Sequence, residues 1–184
     1  MKAAYTEKEI IIDKIELNRT LKRMAYEIIE NTRGVKNLVL IGLETRGVFI
    51  AKRILDEIKK VENEEIPMGT LDISLYRDDV HDPTKSIKIK PTDFPFSVDG
   101  KNIVLIDDVL FTGRSVRAAI ECIMDFGRPT TIRLGVLIDR GYRELPIQAD
   151  FIGKKFGTIK NELISVELKE IDDKDRVVLL ESKK

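Results

Sequence analysis

Val104-Leu-Ile-Asp-Asp-Val-Leu-Phe-Thr-Gly-Arg-Ser115 joins an apolar run, an acid pair and a small-residue turn in immediate succession. Asn102 to Ile106 is short and rich in β-branched residues, the pattern of a strand buried on both faces. The strand is expected to end at the carboxylates of Asp107 and Asp108. The turn Thr112-Gly113-Arg114-Ser115 follows, and Val116 to Phe126 then carries apolar residues at helical spacing up to Gly127. Unpaired N–H groups at such a helix start carry roughly half a positive charge and favour an anion. Thr112 and Ser115 add hydroxyl donors, and Gly113 lets the backbone come close. The two aspartates would repel that anion. They suit the other end of the same ligand: vicinal hydroxyls, a magnesium ion, or both. A phosphate beside a diol is a ribose 5-phosphate.

The rest of the chain gives this turn a frame. Its 184 residues suit a single domain over 1–184 with a sizeable core. Lys+Arg 32 balance Asp+Glu 32, so no global field draws the chain to nucleic acid or membrane, and any such binding belongs to a local patch. Cys122, the one cysteine, falls within the apolar pattern of the helix and reads as a small buried hydrophobe. The start Met1-Lys-Ala-Ala-Tyr5 has no signal-peptide core, and no apolar run approaches membrane-spanning length. A cytoplasmic protein is expected, in which the sequon Asn18-Arg-Thr20 stays unmodified.

Along the chain, Ile10 to Ile12 reads as an edge strand. Leu17, Leu21, Met24, Ala25, Ile28 and Ile29 form one helical stripe, opposite Arg19, Lys22, Arg23 and Tyr26. Spacing alone makes that basic side solvated surface. Leu38 to Leu43 is a buried strand running into Glu44-Thr-Arg-Gly47, after which Val48 to Ile58 is an amphipathic helix. Gly42 and Gly47 have the spacing of P-loop glycines, but Val48-Phe49 stands where Lys-Ser/Thr is required. A second anion site on Thr45 and Arg46 remains the better reading. Ile66 to Leu75 is the next expected strand. From about 77 to 100 the chain is polar and proline-bearing, and a loop of that length suits a lid. His81, the only histidine, reads as an exposed residue at its opening. Thr131 to Asp139 is another buried strand, leading into Arg140-Gly-Tyr-Arg-Glu-Leu-Pro146. In an open α/β sheet, ligands sit outside the carboxyl ends of the strands, so the ends after Leu43, Ile106 and Ile138 face one crevice. Ala149 to Lys155, Leu163 to Leu168 and Val177 to Leu180 look like short strands. Asp172-Asp-Lys-Asp175 looks like a turn, with no chemistry to assign.

The acid pair followed by Thr-Gly-Arg-Ser resembles the phosphoribosyl-pyrophosphate (PRPP) signature of type I phosphoribosyltransferases. Response-regulator and magnesium-phosphatase folds also carry acids after a buried strand, without a reason for Thr-Gly-Arg-Ser to follow. Gly42-Leu-Glu-Thr-Arg-Gly47, Ile73-Ser-Leu-Tyr-Arg-Asp-Asp79, Gly127-Arg-Pro129 and Leu137-Ile-Asp-Arg-Gly-Tyr-Arg-Glu-Leu-Pro-Ile-Gln-Ala-Asp-Phe-Ile-Gly-Lys154 narrow the likeness. Together they resemble the PyrR family, regulators of pyrimidine operons that are also uracil phosphoribosyltransferases.

This resemblance implies an α/β type I phosphoribosyltransferase fold: a central parallel five-stranded sheet flanked by helices, with a small hood from the C-terminal strands. It implies the reaction of uracil with PRPP to give UMP and diphosphate, with Mg2+ carried by PRPP rather than held directly. Asp107, Asp108, Arg46 and Arg77 become the catalytic set. Thr45, Arg46, Asp107, Asp108, Val109, Leu110, Phe111, Thr112, Gly113, Arg114 and Ser115 would hold PRPP or nucleotide, and Ile138, Asp139 and Arg140 the uracil. A messenger-leader hairpin would bind Lys22, Arg23, Arg143 and Lys154 in response to UMP or UTP, on a homodimer or higher homo-oligomer. The chain departs from the family at Lys22 (commonly Thr), Tyr26 (His) and Gln148 (Arg). A salvage phosphoribosyltransferase without an RNA role, or a non-enzymatic phosphate-binding domain, are the other readings.

Overall fold

The computed structural model describes residues 5–73, 92–159 and 161–183, and in it the apolar runs become eight strands and four helices among the described residues. In order these are β1 (Tyr5–Ile12), α1 (Lys14–Thr32), β2 (Leu38–Leu43), α2 (Arg46–Glu62), β3 (Met68–Leu71), β4 (Asn102–Leu110), α3 (Arg114–Asp125) and β5 (Thr131–Asp139). They are followed by β6 (Phe151–Lys155), β7 (Glu162–Glu167), α4 (Lys169–Asp172) and β8 (Arg176–Ser182).

The main sheet has the order β3-β2-β4-β5-β6, with every neighbouring pair parallel. Its strands are apolar throughout because both faces are covered. Leu38 and Leu40 of β2 and Val104 and Ile106 of β4 pack with α1 and α2, through Met24, Ile28, Ile50 and Ile54. The alternate residues Val39, Ile41, Ile103 and Leu105 pack with α3, through Val116, Ala119, Cys122 and Ile123. The expected stripe of α1 is the buried one, and Arg19, Lys22, Arg23 and Tyr26 are exposed. Asp13 caps this helix by accepting from the Glu16 N–H at 2.8 Å.

Several strand boundaries differ from the sequence reading, β1 for instance starting at Tyr5 rather than Ile10. β4 runs to Leu110 instead of ending at Ile106, because its two neighbours stop at different points. β2 pairs with it only as far as Gly42↔Ile106, while β5 continues to Leu110↔Asp139. The acid pair therefore lies within a strand whose one edge has lost its neighbour. β3 is shorter than Ile66 to Leu75, and the described chain leaves it at Leu71.

The second sheet is antiparallel, in the order β1-β8-β7. This hood is completed by the N-terminal strand as well as the C-terminal ones, since β1 pairs along β8 from Tyr5↔Ser182 to Ile12↔Val177. Ile12, Val166, Leu168 and Val177 join the same core as Leu17 and Leu21. Part of the expected lid, 92–100, packs on the main sheet. Asp93 bridges Thr70, Phe94 contacts Phe96 and Phe126, and Val98 is buried. The rest of that loop, with Arg77 and His81, lies outside the described residues.

Candidate active site

The ends of β2, β4 and β5 open into a cleft of about 730 Å³, with Leu163 and Ile164 of the hood among its lining residues. Glu44, Thr45 and Arg46 line it after β2, and the continuous run Asp107 to Val116 lines it after β4. Arg140 joins from β5.

Close packing fixes how these segments meet. A Cβ on Gly42 would overlap the Val48 backbone, and one on Gly47 would overlap the Ile106 carbonyl oxygen and approach Asp107 Cα to 3.2 Å. The glycines that mimic P-loop spacing thus let the first turn of α2 lie against the end of β4. Thr45 and Arg46 are held beside the acid pair as a result. The Glu44–Thr45 peptide is cis, and the Glu44 N–H donates to the Leu71 carbonyl at 2.9 Å.

Asp107 Oδ1 accepts from the Asp108 N–H at 2.8 Å, and Asp108 Oδ1 accepts from the Val109 N–H at 2.8 Å. Each carboxylate is oriented through one oxygen by the next peptide. Both residues are partly buried and face the cleft. Gly113 caps α3 with φ 93°, a left-handed conformation that glycine adopts without steric cost. The Thr112 carbonyl accepts from the N–H groups of Glu144 (3.0 Å) and Leu145 (3.2 Å), and the Arg114 Nε–H donates to the Glu144 carboxylate at 2.7 Å. The segment after β5 therefore braces the loop from behind.

Arg143 is the centre of that brace. It donates to the carbonyls of Ile147 (3.0 Å), Phe111 (2.8 Å) and Gly141 (3.1 Å), and to Asp139 Oδ1 at 2.6 Å. Of the three residues expected at the base, Ile138 is buried in the core and Asp139 turns to Arg143. Arg140 faces the cleft. Its guanidinium lies 4.0 Å above the Phe111 ring and donates to Thr158 Oγ1 (2.6 Å) and the Glu162 carbonyl (2.9 Å). Burial pulls Arg140 below its ordinary pKa, yet an arginine remains charged at neutral pH. The Glu162 carboxyl is held low by hydrogen bonds from Lys8 and from the Ile159 N–H.

Arg46 has a partner that the sequence reading did not foresee. Its Nη2 donates to both oxygens of Asp172 at 3.0 and 3.2 Å, while its buried Nε has no acceptor among the described residues. Arg53, two turns along α2, is gripped by Glu170 and Asp175. Nothing local in Lys169-Glu-Ile-Asp-Asp-Lys-Asp175 signals this, because the partners lie more than a hundred residues away.

The residues expected at RNA fall in two places. Lys22 and Arg23 are exposed on α1. Arg23 donates to the Ile152 and Gly153 carbonyls of β6, and Lys154 on the same strand donates to the Ile11 carbonyl and Glu16. These three surround one helix–strand seam. Arg143 belongs to the loop brace.

A family model described as phosphoribosyl transferase domain matches residues 11–171. Among solved structures, hypoxanthine phosphoribosyltransferases from Staphylococcus aureus and Trypanosoma cruzi superpose with TM-scores of 0.70 and 0.73. Each covers 96% of this chain, and the chain covers 93% and 98% of them, at 19% and 16% identity, a likeness that bears on fold alone. Bifunctional protein PyrR of Pelotomaculum thermopropionicum is 52% identical over 96% of this chain and 97% of its own length. That of Ligilactobacillus salivarius is 50% identical over 92% and 96%. The chain belongs to the phosphoribosyl transferase family and, within it, to the bifunctional PyrR proteins.

Proposed function

We propose that the chain performs both PyrR roles: it is a uracil phosphoribosyltransferase, and it regulates pyrimidine genes by attenuation at leader RNA. The observation that carries the enzymatic role is the meeting, in one cleft, of an acid pair, a hydroxyl-rich loop opening a helix, and the Thr45–Arg46 turn with its hydroxyl and guanidinium. These are the complements of a sugar diol, a 5′-phosphate and a diphosphate. A salvage enzyme without an RNA role is not favoured by relatives of this similarity.

In this reading the Thr112–Ser115 loop grips the 5-phosphate, and Asp107 and Asp108 hold the ribose hydroxyls. As diphosphate leaves, positive charge develops on the sugar ring, and the two carboxylates stabilise it. Arg46, with Arg77, takes the charge of the leaving group, so catalysis is positioning and electrostatics without an enzyme nucleophile. Among the described residues no group of three or more ligating side chains gathers for a metal. Mg2+ brought in with PRPP would lie near the Asp107–Asp108 pair and would supply charge neutralisation of the diphosphate. Arg140 over Phe111, together with the backbone at Ile138 and Asp139, frames the uracil.

UMP or UTP in the same cleft tunes RNA binding through Lys22, Arg23 and Lys154, with Arg143 contributing through the loop it braces. The working form is a homodimer or higher homo-oligomer in the cytoplasm. No helix among the described residues is long and apolar enough to cross a membrane. Diphosphate release from PRPP is expected with uracil and to be absent with hypoxanthine or orotate. A gel shift with the organism's pyrimidine-operon leader is expected to tighten on adding UMP. Release with hypoxanthine would overturn the substrate assignment, and no shift at any UMP concentration would remove the regulatory role.

A further inference from the structure

The acidic helix turn α4 was without chemistry in the sequence, yet its Asp172 reaches Arg46, which lines the cleft. Arg46 presents Nε–H and Nη2–H along one edge of its guanidinium, a pair of donors suited to two acceptors at once. Asp172 approaches from the hood and takes Nη2 with both of its oxygens, and the buried Nε beside it is left without an acceptor among the described residues. A carboxylate thus occupies the Nη2 donor, to which an oxyanion of the ligand would also be drawn. Asp172 is itself anchored, since its Oδ2 accepts from the Leu168 N–H at 3.0 Å and its N–H donates to the Leu168 carbonyl at 2.7 Å. Arg53 clamps the same segment to α2 through Glu170 and Asp175, at 2.6 Å each. The side chains of Arg46 and Asp172 are only 32% and 24% exposed, so their interaction is incompletely screened.

We propose that Asp172 is a positioning residue for the leaving-group end of the reaction: it holds the Arg46 guanidinium at the cleft and competes with diphosphate for its Nη2 donor. An arginine held in this way is ready for the incoming diphosphate of PRPP, and the returning carboxylate helps displace the product. The proposal rests on reading Thr45 and Arg46 as the diphosphate loop.

The test is product inhibition of the uracil phosphoribosyltransferase reaction in the full-length protein. Asp172→Asn keeps an acceptor for the Leu168 N–H and removes the charge. Its inhibition constant for diphosphate is expected to fall roughly three- to tenfold, the scale of one charge interaction at a partly screened site. Inhibition by UMP, whose phosphate sits on the other loop, is expected to stay unchanged. Asp172→Glu restores the charge and is expected to return diphosphate inhibition toward that of the parent protein. In an Arg46→Gln background, Asp172→Asn is expected to have no further effect. The proposal is overturned if diphosphate inhibition is unchanged in Asp172→Asn, if UMP inhibition shifts with it, or if the effect persists without Arg46. If Arg46→Gln alone leaves diphosphate inhibition unaltered, the reading of the loop fails first.

Discussion

Gly47 shows how a single atom can be excluded from a site. Its missing Cβ is the space in which the Ile106 carbonyl lies, and that contact sets the first turn of α2 against the acid pair. The obstruction is backbone on both sides, so no rotamer change relieves it. Gly47→Ala is expected to cost about 2–3 kcal/mol in urea unfolding, at the upper part of the range for overpacking. The same shift would displace Thr45 and Arg46, and kcat/KM is expected to fall at least roughly tenfold, as misplacement of positioning groups does. Unchanged stability in the alanine variant would show that the turn has room to move. At this scale the sequence was partly legible. The acid pair, Thr112–Ser115 and the Thr45–Arg46 turn were named from residue type and order, and all of them line one cleft. Asp172, Glu144 and Thr158 were not, because each acquires its role from a partner distant in the chain.

Between elements, charge ties the α4 segment to α2 through Arg53 with Glu170 and Asp175 and through Arg46 with Asp172. Glu170 is held below the ordinary carboxylate range chiefly by the Arg53 hydrogen bond. For Asp175, burial opposes ionisation, but hydrogen bonds from Arg53 and the Lys169 N–H outweigh it and leave its pKa lowered. Groups with depressed folded pKa values contribute stability above their unfolded pKa, and this stability is lost as pH falls through the folded one. Arg53→Met is therefore expected to be less stable than the parent at pH 7, by about 1–2 kcal/mol for a partly exposed network. The gap is expected to close as pH falls below about 4, the ordinary carboxylate range. Urea midpoints of both proteins from pH 7 to pH 3 check this, and a gap independent of pH would assign the loss to packing of the arginine stem. The misplaced end of β4 belongs to this scale too. An apolar-to-acidic change looks like a strand end in one dimension. The ladder to β5 carries the strand past it, while β2 has already turned away.

For the molecule as a whole, Lys+Arg and Asp+Glu are equal at 32, so attraction to RNA must come from arrangement rather than net charge. The helix–strand seam of Lys22, Arg23 and Lys154 is one such local arrangement, and Arg23 and Lys154 are already engaged with carbonyls or carboxylates. Lys22→Ala is expected to weaken leader-RNA binding and lower the slope of log K against log salt by about one, the signature of one lost phosphate contact. Gel shifts over a range of salt concentrations measure this, and an unaltered slope would remove Lys22 from the interface.

The order of residues alone determined which segments are sheet strands, the helix faces and the make-up of the Thr112–Ser115 loop. Those depend on local periodicity and on residue types that have few other uses together. The hood of C-terminal strands was implied by the resemblance, but its completion by β1, the brace through Arg143 and the Asp172 contact with Arg46 were decided only in three dimensions. Pairing β1 with β8 joins the two ends of the chain, and no local pattern encodes an interaction whose partners are separated by most of its length.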